Sequence, residues 1–293
     1  LKLGIHAGPQ DLLMTELKRL WQSAEDAELD WVSVWDHFYA NPLTDRHNPC
    51  FEGVAAMAGL AALTQHVRVG CLMFCAAFRN PGVLAKAAVT IDHLSDGRAD
   101  IGVGAGWLEE EFREYGYGWP SLGERFAIME ESLDIMTALW RGEEVTYHGQ
   151  HFQMEGAVCS PQPIGLRLWI GGRGKTRTPS LAAKYADGFN MPYVAPDVAQ
   201  RRLDTLYEAA VQYGRDPNAI DTSVNLGFYM LSERQPDIDP RGSLTGSVQE
   251  AVDTLSAYQE IGIKGINIAF RPPIDWDAYT VYLEKVVPHF KST

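Results

Sequence analysis

The chain is short of positive charge: 25 Lys and Arg stand against 38 Asp and Glu, a net charge of −13 over 293 residues. Nucleic-acid backbones and anionic membrane surfaces are held by clustered Lys and Arg, so neither is expected as a partner. Cysteine is scarce too. The four residues, Cys50, Cys71, Cys75 and Cys159, form no CxxC pair, and reduced thiols in a cytoplasmic protein are expected. Long apolar runs are missing: the longest uncharged one, Val69 to Phe78, is too short to cross a bilayer. With no basic-then-apolar leader pattern at the N-terminus, the chain reads as soluble and intracellular. HExxH is absent and the eight histidines make no spaced ligand set, so no metal is assigned. Two apparent nucleotide motifs also fail. Trp169 stands where a Walker glycine would precede Gly174-Lys175-Thr176, and Gly102, Gly104 and Gly106 lack the GxGxxG spacing.

What is present is alternation. Strand-like runs Leu3–Ala7, Trp31–Trp35, Val67–Phe74, Ala99–Val103, Leu166–Ile170, Gly188–Met191, Thr222–Leu231 and Gly265–Phe270 alternate with helical ones. The helices are Thr15–Glu28, Phe51–Leu63, Pro81–Leu94, Leu122–Trp140, a helix starting at Pro179–Tyr185, Asp197–Tyr213, Ser247–Ile261 and Asp277–Val287. Pro81 suits a first turn and Ser121 a cap. Eight such units, with 46% apolar residues and no dividing linker, predict one (β/α)8 TIM barrel over residues 1–293. A doubly wound open sheet uses the same alternation and is the competing fold. Some 25 residues of Gly, His, Gln and Pro before Leu166 read as an insertion. Two further insertions, Trp107–Ser121 and Ser232–Thr245, follow strands four and seven and would lie on the C-terminal face, where barrel sites are built.

Three stretches carry candidate chemistry. Arg98 to Trp107 is a strand with Gly102, Gly104 and Gly106, whose bare backbone a flat ligand could approach or a tight packing could require. Gly171-Gly172-Arg173-Gly174-Lys175 follows a strand and precedes a helix start, with Arg177 beyond. Glycine amides before a helix N-terminus form an anion cradle, so this loop is a candidate phosphate site; a solvated basic turn would look the same. Asp36-His37 ends the second strand beside Trp35. An imidazole there can give or take a proton, unless it is merely bonded to backbone. Glu109–Glu111 reads first as the acidic start of a helix.

Together Trp31-Val-Ser-Val-Trp-Asp-His37, Arg79-Asn-Pro81 with Leu84-Ala-Lys86, Asp92 to Arg98, Gly102-Val-Gly-Ala-Gly-Trp107, Glu124-Arg125, Trp169-Ile-Gly-Gly and Tyr185 to Asn190 resemble the luciferase-like monooxygenase superfamily. Within it the chain is most similar to the subgroup using coenzyme F420, a deazaflavin. The resemblance implies a flavin or deazaflavin across the C-terminal strand ends, and a homodimer. It implies that His37 is catalytic with Asp36 beside it. It implies cofactor contacts from Leu72 and Met73, a third-strand bulge often holding a non-proline cis peptide, from Gly104, Gly106 and Trp107, and from the loop Gly171, Gly172, Arg173, Gly174 and Lys175. Trp107 stands where some deazaflavin enzymes carry a catalytic glutamate, and Glu109 or Glu110 is the nearest substitute. The expected activity is hydride transfer between F420 and a small organic substrate. The alternatives are an FMN-dependent monooxygenase and a non-catalytic flavin-binding protein. Substrate choice would fall to the loops Phe38–Cys50, Leu108–Ser121 and Ser232–Thr245.

Overall fold

The computed structural model describes all residues except 43–44, 234–235, 237–238 and 292–293. Parts of two of the loops expected to select substrate therefore lie outside the described residues. Eight parallel strands close on themselves: β1 (Lys2–His6), β2 (Trp31–Val34), β3 (Arg68–Cys75), β4 (Ala99–Gly104), β7 (Arg167–Gly171), β8 (Gly188–Pro192), β9 (Asp221–Met230) and β11 (Gly265–Ala269). Neighbours pair in chain order, β11 pairs with β1, and the β8–β9 pairing completes the ring. This is the TIM barrel, not the open sheet. The strands are buried on both faces, as parallel strands under a helical coat must be.

The helices start where local chemistry allows. Asn80 caps α3 (Pro81–Leu94) through the Gly82 amide at 2.9 Å, with Pro81 at the first turn. Ser121 and Glu124 form a reciprocal capping box on α5 (Leu122–Trp140), as Ser247 and Glu250 do on α8 (Val248–Glu260). The remaining coat helices are α1 (Met14–Asp26), α2 (Gly53–Leu63), α6 (Arg177–Tyr185) and α7 (Pro196–Gln212). The last helix differs from the single run expected over Asp277–Val287. It is α9 (Trp276–Val281), then a π turn over Tyr282–Val286 and a 3-10 turn over Val287–His289. Pro288 has no N–H for the regular ladder, and the helix widens before it.

The three insertions take form. Before β7, the hairpin β5 (Val145–His148) and β6 (Gln153–Ala157) is tied to α5 by Glu131, whose carboxylate accepts the amides of Gln150, His151 and Phe152. After β4 comes the short helix α4 (Glu109–Glu114). After β9 comes a strand that the sequence did not announce, β10 (Ser243–Gly246), paired in parallel with the C-terminal end of β9 from Gly227 to Met230. Among the described residues, no helix is long and apolar enough to cross a membrane.

Candidate active site

A cavity of about 590 Å³ opens at the C-terminal ends of the strands. Its size is that of a small-molecule or cofactor site. Of the residues singled out from the sequence, Asp36, His37, Leu72, Met73, Gly104, Gly106, Trp107, Gly171, Gly172, Arg173 and Gly174 line it together. Lys175 does not: it is exposed and outside the lining. Arg177 is also withdrawn, paired with Glu130 at 2.8 Å and stacked over Phe126.

The third strand supplies the floor. The Leu72–Met73 peptide is cis, and the register between β3 and β4 shifts between Cys71 and Phe74. This turns Met73 across its neighbours. A Cβ on Gly102 or on Gly171 would strike the Met73 thioether, and one on Gly104 would lie 3.2 Å from Met73 Cβ. The glycine spacing is thus required first by protein packing: Met73 occupies room that the sequence alone left open for a ligand. Gly106 is at φ +77°, with Cys75 Sγ and Phe112 where a side chain would go.

At one wall His37 meets an unanticipated partner. Its Nδ1 lies 3.0 Å from both oxygens of Glu111, which is 1% exposed and also accepts the amides of Phe38 (2.7 Å) and Tyr39 (3.2 Å). Glu109, by contrast, is spent on Arg113 at 2.6 Å, and Glu110 is exposed. The carboxylate at the imidazole is therefore the third of the triplet, not the first or second. The signal was slight: Leu108, Glu111 and Phe112 fall at i, i+3 and i+4 and are the buried positions of this segment. The Trp107 ring packs edge-on against His37, with centroids 5.5 Å apart.

Asp36 has a different task from its neighbour. Both its oxygens take Arg79 at 2.6 Å, and one also takes the Cys75 amide at 3.0 Å, so the carboxylate ties β2 to the end of β3. With these bonds made it has little capacity left for a substrate proton. His6, which the sequence did not single out, also lines the cavity. It bonds Ser33 Oγ through Nδ1 at 2.8 Å. Burial, followed by the charges of Arg271 and His37, pushes its pKa down to about 3, so it is neutral at physiological pH.

The opposite wall is the loop between β7 and α6. Gly172 is at φ +146°, and its amide is already given to Asn190 O at 3.2 Å, so that amide does not serve an anion as the glycine pattern suggested. Arg202 of α7 holds the loop from behind by donating to Arg173 O at 3.0 Å. Beyond this anchored half, the backbone amides of Gly174 to Thr178 meet no protein acceptor among the described residues, and Thr176 supplies no side-chain cap to α6. Unspent amides at the N-terminus of a nine-residue helix beside a cavity fit a phosphate.

The description "Luciferase-like monooxygenase" belongs to a family profile that matches residues 4–236. An F420-dependent glucose-6-phosphate dehydrogenase of Mycolicibacterium smegmatis is 31% identical over 272 residues, covering 90% of this chain and 77% of that protein. An F420-dependent secondary alcohol dehydrogenase, solved with an F420-acetone adduct, superposes with a TM-score of 0.85 at 20% identity, covering 99% of both chains. The oxygenating constituent of 3,6-diketocamphane monooxygenase from Pseudomonas putida, solved with FMN, superposes with a TM-score of 0.76 at 14% identity over 100% of this chain and 99% of that one.

Proposed function

The chain belongs to the luciferase-like monooxygenase family, and from that premise we propose that it moves a hydride between coenzyme F420 and a small organic substrate. One observation carries the reading: a helix N-terminus with unspent amides and a histidine with an unspent nitrogen face one cavity large enough for a tricyclic ring and a substrate. When bound, the deazaflavin supplies the hydride chemistry. The residues present fit such a group. The amides of Gly174 to Thr178 and the guanidinium of Arg173 would hold its phosphate, and Leu72 and Met73 would support the ring. His37 would hold or move a proton at a substrate oxygen, and the cavity walls would exclude water.

A cluster of cations supports F420, whose phosphate is followed by an acidic tail, over FMN. In a chain of net charge −13, Arg201, Arg202 and Arg241 gather around Arg173, countered by Asp197 and Asp239. Asp239 is held below the usual carboxylate range, first by its bond from Arg241 and also by the charge of Arg173. The test is titration of the purified protein with F420 and with FMN, followed by ring fluorescence. Tighter binding of F420 is expected. Equal affinity or a preference for FMN overturns the assignment in favour of the monooxygenase, and binding without turnover on a panel of alcohols and ketones leaves a carrier.

The outward face of α2 supports a homodimer. Ala55, Ala62 and Leu63 are exposed, Val54, Ala58 and Gly59 are half-buried beside them, and no charged side chain occurs over Gly53–Leu63. Light scattering at micromolar concentration should give a dimer that Ala62→Glu dissociates; a monomeric parent protein removes the proposal. All four cysteines are unpaired, which supports a reducing, cytoplasmic location.

A further inference from the structure

Glu111 is buried, is not within the second-strand segment it serves, and receives three donors from three consecutive residues: the imidazole of His37 and the amides of Phe38 and Tyr39. Its oxygens are acceptors in all of these bonds. Whatever stands opposite it must donate. We propose that Glu111 is a positioning residue that fixes the tautomer of neutral His37, with the proton on Nδ1 and a bare Nε2 turned to the reacting partner. Nε2 bonds to nothing else among the described residues, and the ring lines the cavity, so the bare nitrogen is the one left to take a proton from a substrate hydroxyl. Once protonated, the imidazolium keeps Glu111 as its counter-ion.

The surroundings leave Glu111 as the group that sets this choice. Asp36, the carboxylate adjacent in sequence, is engaged by Arg79 and the Cys75 amide. Cys50 donates its thiol to His37 O, not to the ring, at 3.2 Å. His6 is turned to Ser33, and Trp107 meets the ring edge-on with no acceptor to offer. Arg271 carries positive charge toward this region and donates to Asn41 O. The same carboxylate also joins the loop after β2 to α4, where Tyr39 Oη donates to Glu114 at 2.7 Å. Ring orientation and proton location are thus set by one group held from several sides, the arrangement in which a buried hydrogen bond is strongest.

The inference rests on His37 acting as the proton carrier, but its test does not. Protein labelled with 15N-histidine is examined without cofactor by long-range proton–nitrogen correlation at a pH where His37 is neutral. The expected spectrum shows a protonated Nδ1 and a bare Nε2. In Glu111→Gln the side chain keeps its shape and an acceptor for the two amides. It now also offers a donor, and the tautomer ratio should move toward the Nε2–H form by about tenfold. F420 fluorescence titration and the thermal midpoint report whether the variant is intact. A parent protein with its proton on Nε2 overturns the proposal even if the variant does not fold, and an unchanged ratio in a folded variant overturns it as well. Full turnover in His37→Asn, with the tautomer result intact, would instead sink the reading of His37 as proton carrier.

Discussion

At the N-terminal end of the barrel, Arg68 closes on Asp100 at 2.8 and 3.0 Å, while Asp221 gathers Arg167 at 2.8 Å, Lys2 at 3.3 Å and Lys264 at 3.6 Å. Trp31 and Trp169 seal the centre with ring centroids 4.8 Å apart, leaving a hollow of about 30 Å³. At the C-terminal end the same residue types are left open. Arg173 and Lys175 have no ion-pair partner among the described residues, Trp107 is 58% exposed, and the cavity is about 590 Å³. Burial of Asp100 pushes its carboxyl up despite Arg68, and burial also opposes the charge of Asp221, where the Arg167 bond and three cations prevail and hold it below the usual range. One end pairs its charged groups with one another. The other pairs Asp36 and Glu111 but leaves Arg173 and the amides of Gly174 to Thr178 unspent among the described residues.

The sharpest way to break this comparison is at His37. His37→Ala should slow hydride transfer by about 10²–10⁴-fold while leaving F420 affinity and thermal midpoint close to the parent, measured by stopped-flow absorbance of the coenzyme with an alcohol or ketone found to turn over. If the rate holds, the open end is not where the proton moves. Next in size is the cradle. Arg173→Ala should weaken F420 binding by about 1–3 kcal/mol, less so at higher salt. Gly172→Val should weaken it as well, since φ +146° is not open to valine without strain. Lys175→Ala should change little, because Lys175 stands outside the lining. Dissociation constants for Arg173→Ala and Gly172→Val that both match the parent at low and moderate salt would remove phosphate from this loop.

A smaller effect distinguishes the neutral histidine from the acting one. The pKa of His6 is lowered in the folded protein from 6.5 to about 3, so the unfolded chain binds the extra proton and stability falls as pH drops from 6.5 toward 3. The slope is at most about 1.4 kcal/mol per pH unit. In His6→Gln that part of the acid dependence should flatten, read from urea midpoints between pH 7 and 5; an unaltered slope would place the proton elsewhere. The smallest effect belongs to the closed end. The folded pKa of Asp221 is depressed, so its contribution is present above the ordinary carboxylate value of 3.8 and is lost as pH falls through the lower folded value. Asp221→Asn should lower the thermal midpoint by a few degrees at pH 7, roughly 1 kcal/mol, and by much less near pH 3, with turnover untouched. A loss of turnover would mean the two ends are not independent.

The barrel was legible because eight repeated units wrote it eight times: an apolar run short enough for a strand, then a helical stripe, with little between to divide them. His37 and the glycine loop were legible because both sit at the C-terminal end of a strand, a position readable from the order of elements alone. Asp36 was singled out and lines the cavity, but its bond to Arg79 was not visible, since Arg79 is brought to it only by the turn after β3. Glu111 was passed over for Glu109 and Glu110 because three consecutive glutamates look alike until the helix phase is known, and α4 is too short for periodicity to speak clearly.

What the sequence by itself determined, then, is whatever depends on local period and local sterics: the alternation of strands and helices and the helix caps. Tertiary structure alone decided which acid meets the imidazole, which cations are neutralised and which amides remain unspent. The reason is physical. Strand and helix follow from neighbours within a few residues, whereas Glu111 meets His37 across a separation of 74 residues. Such a pairing is set by the closure of the ring and the packing of two loops upon it, and no local window of sequence contains both partners.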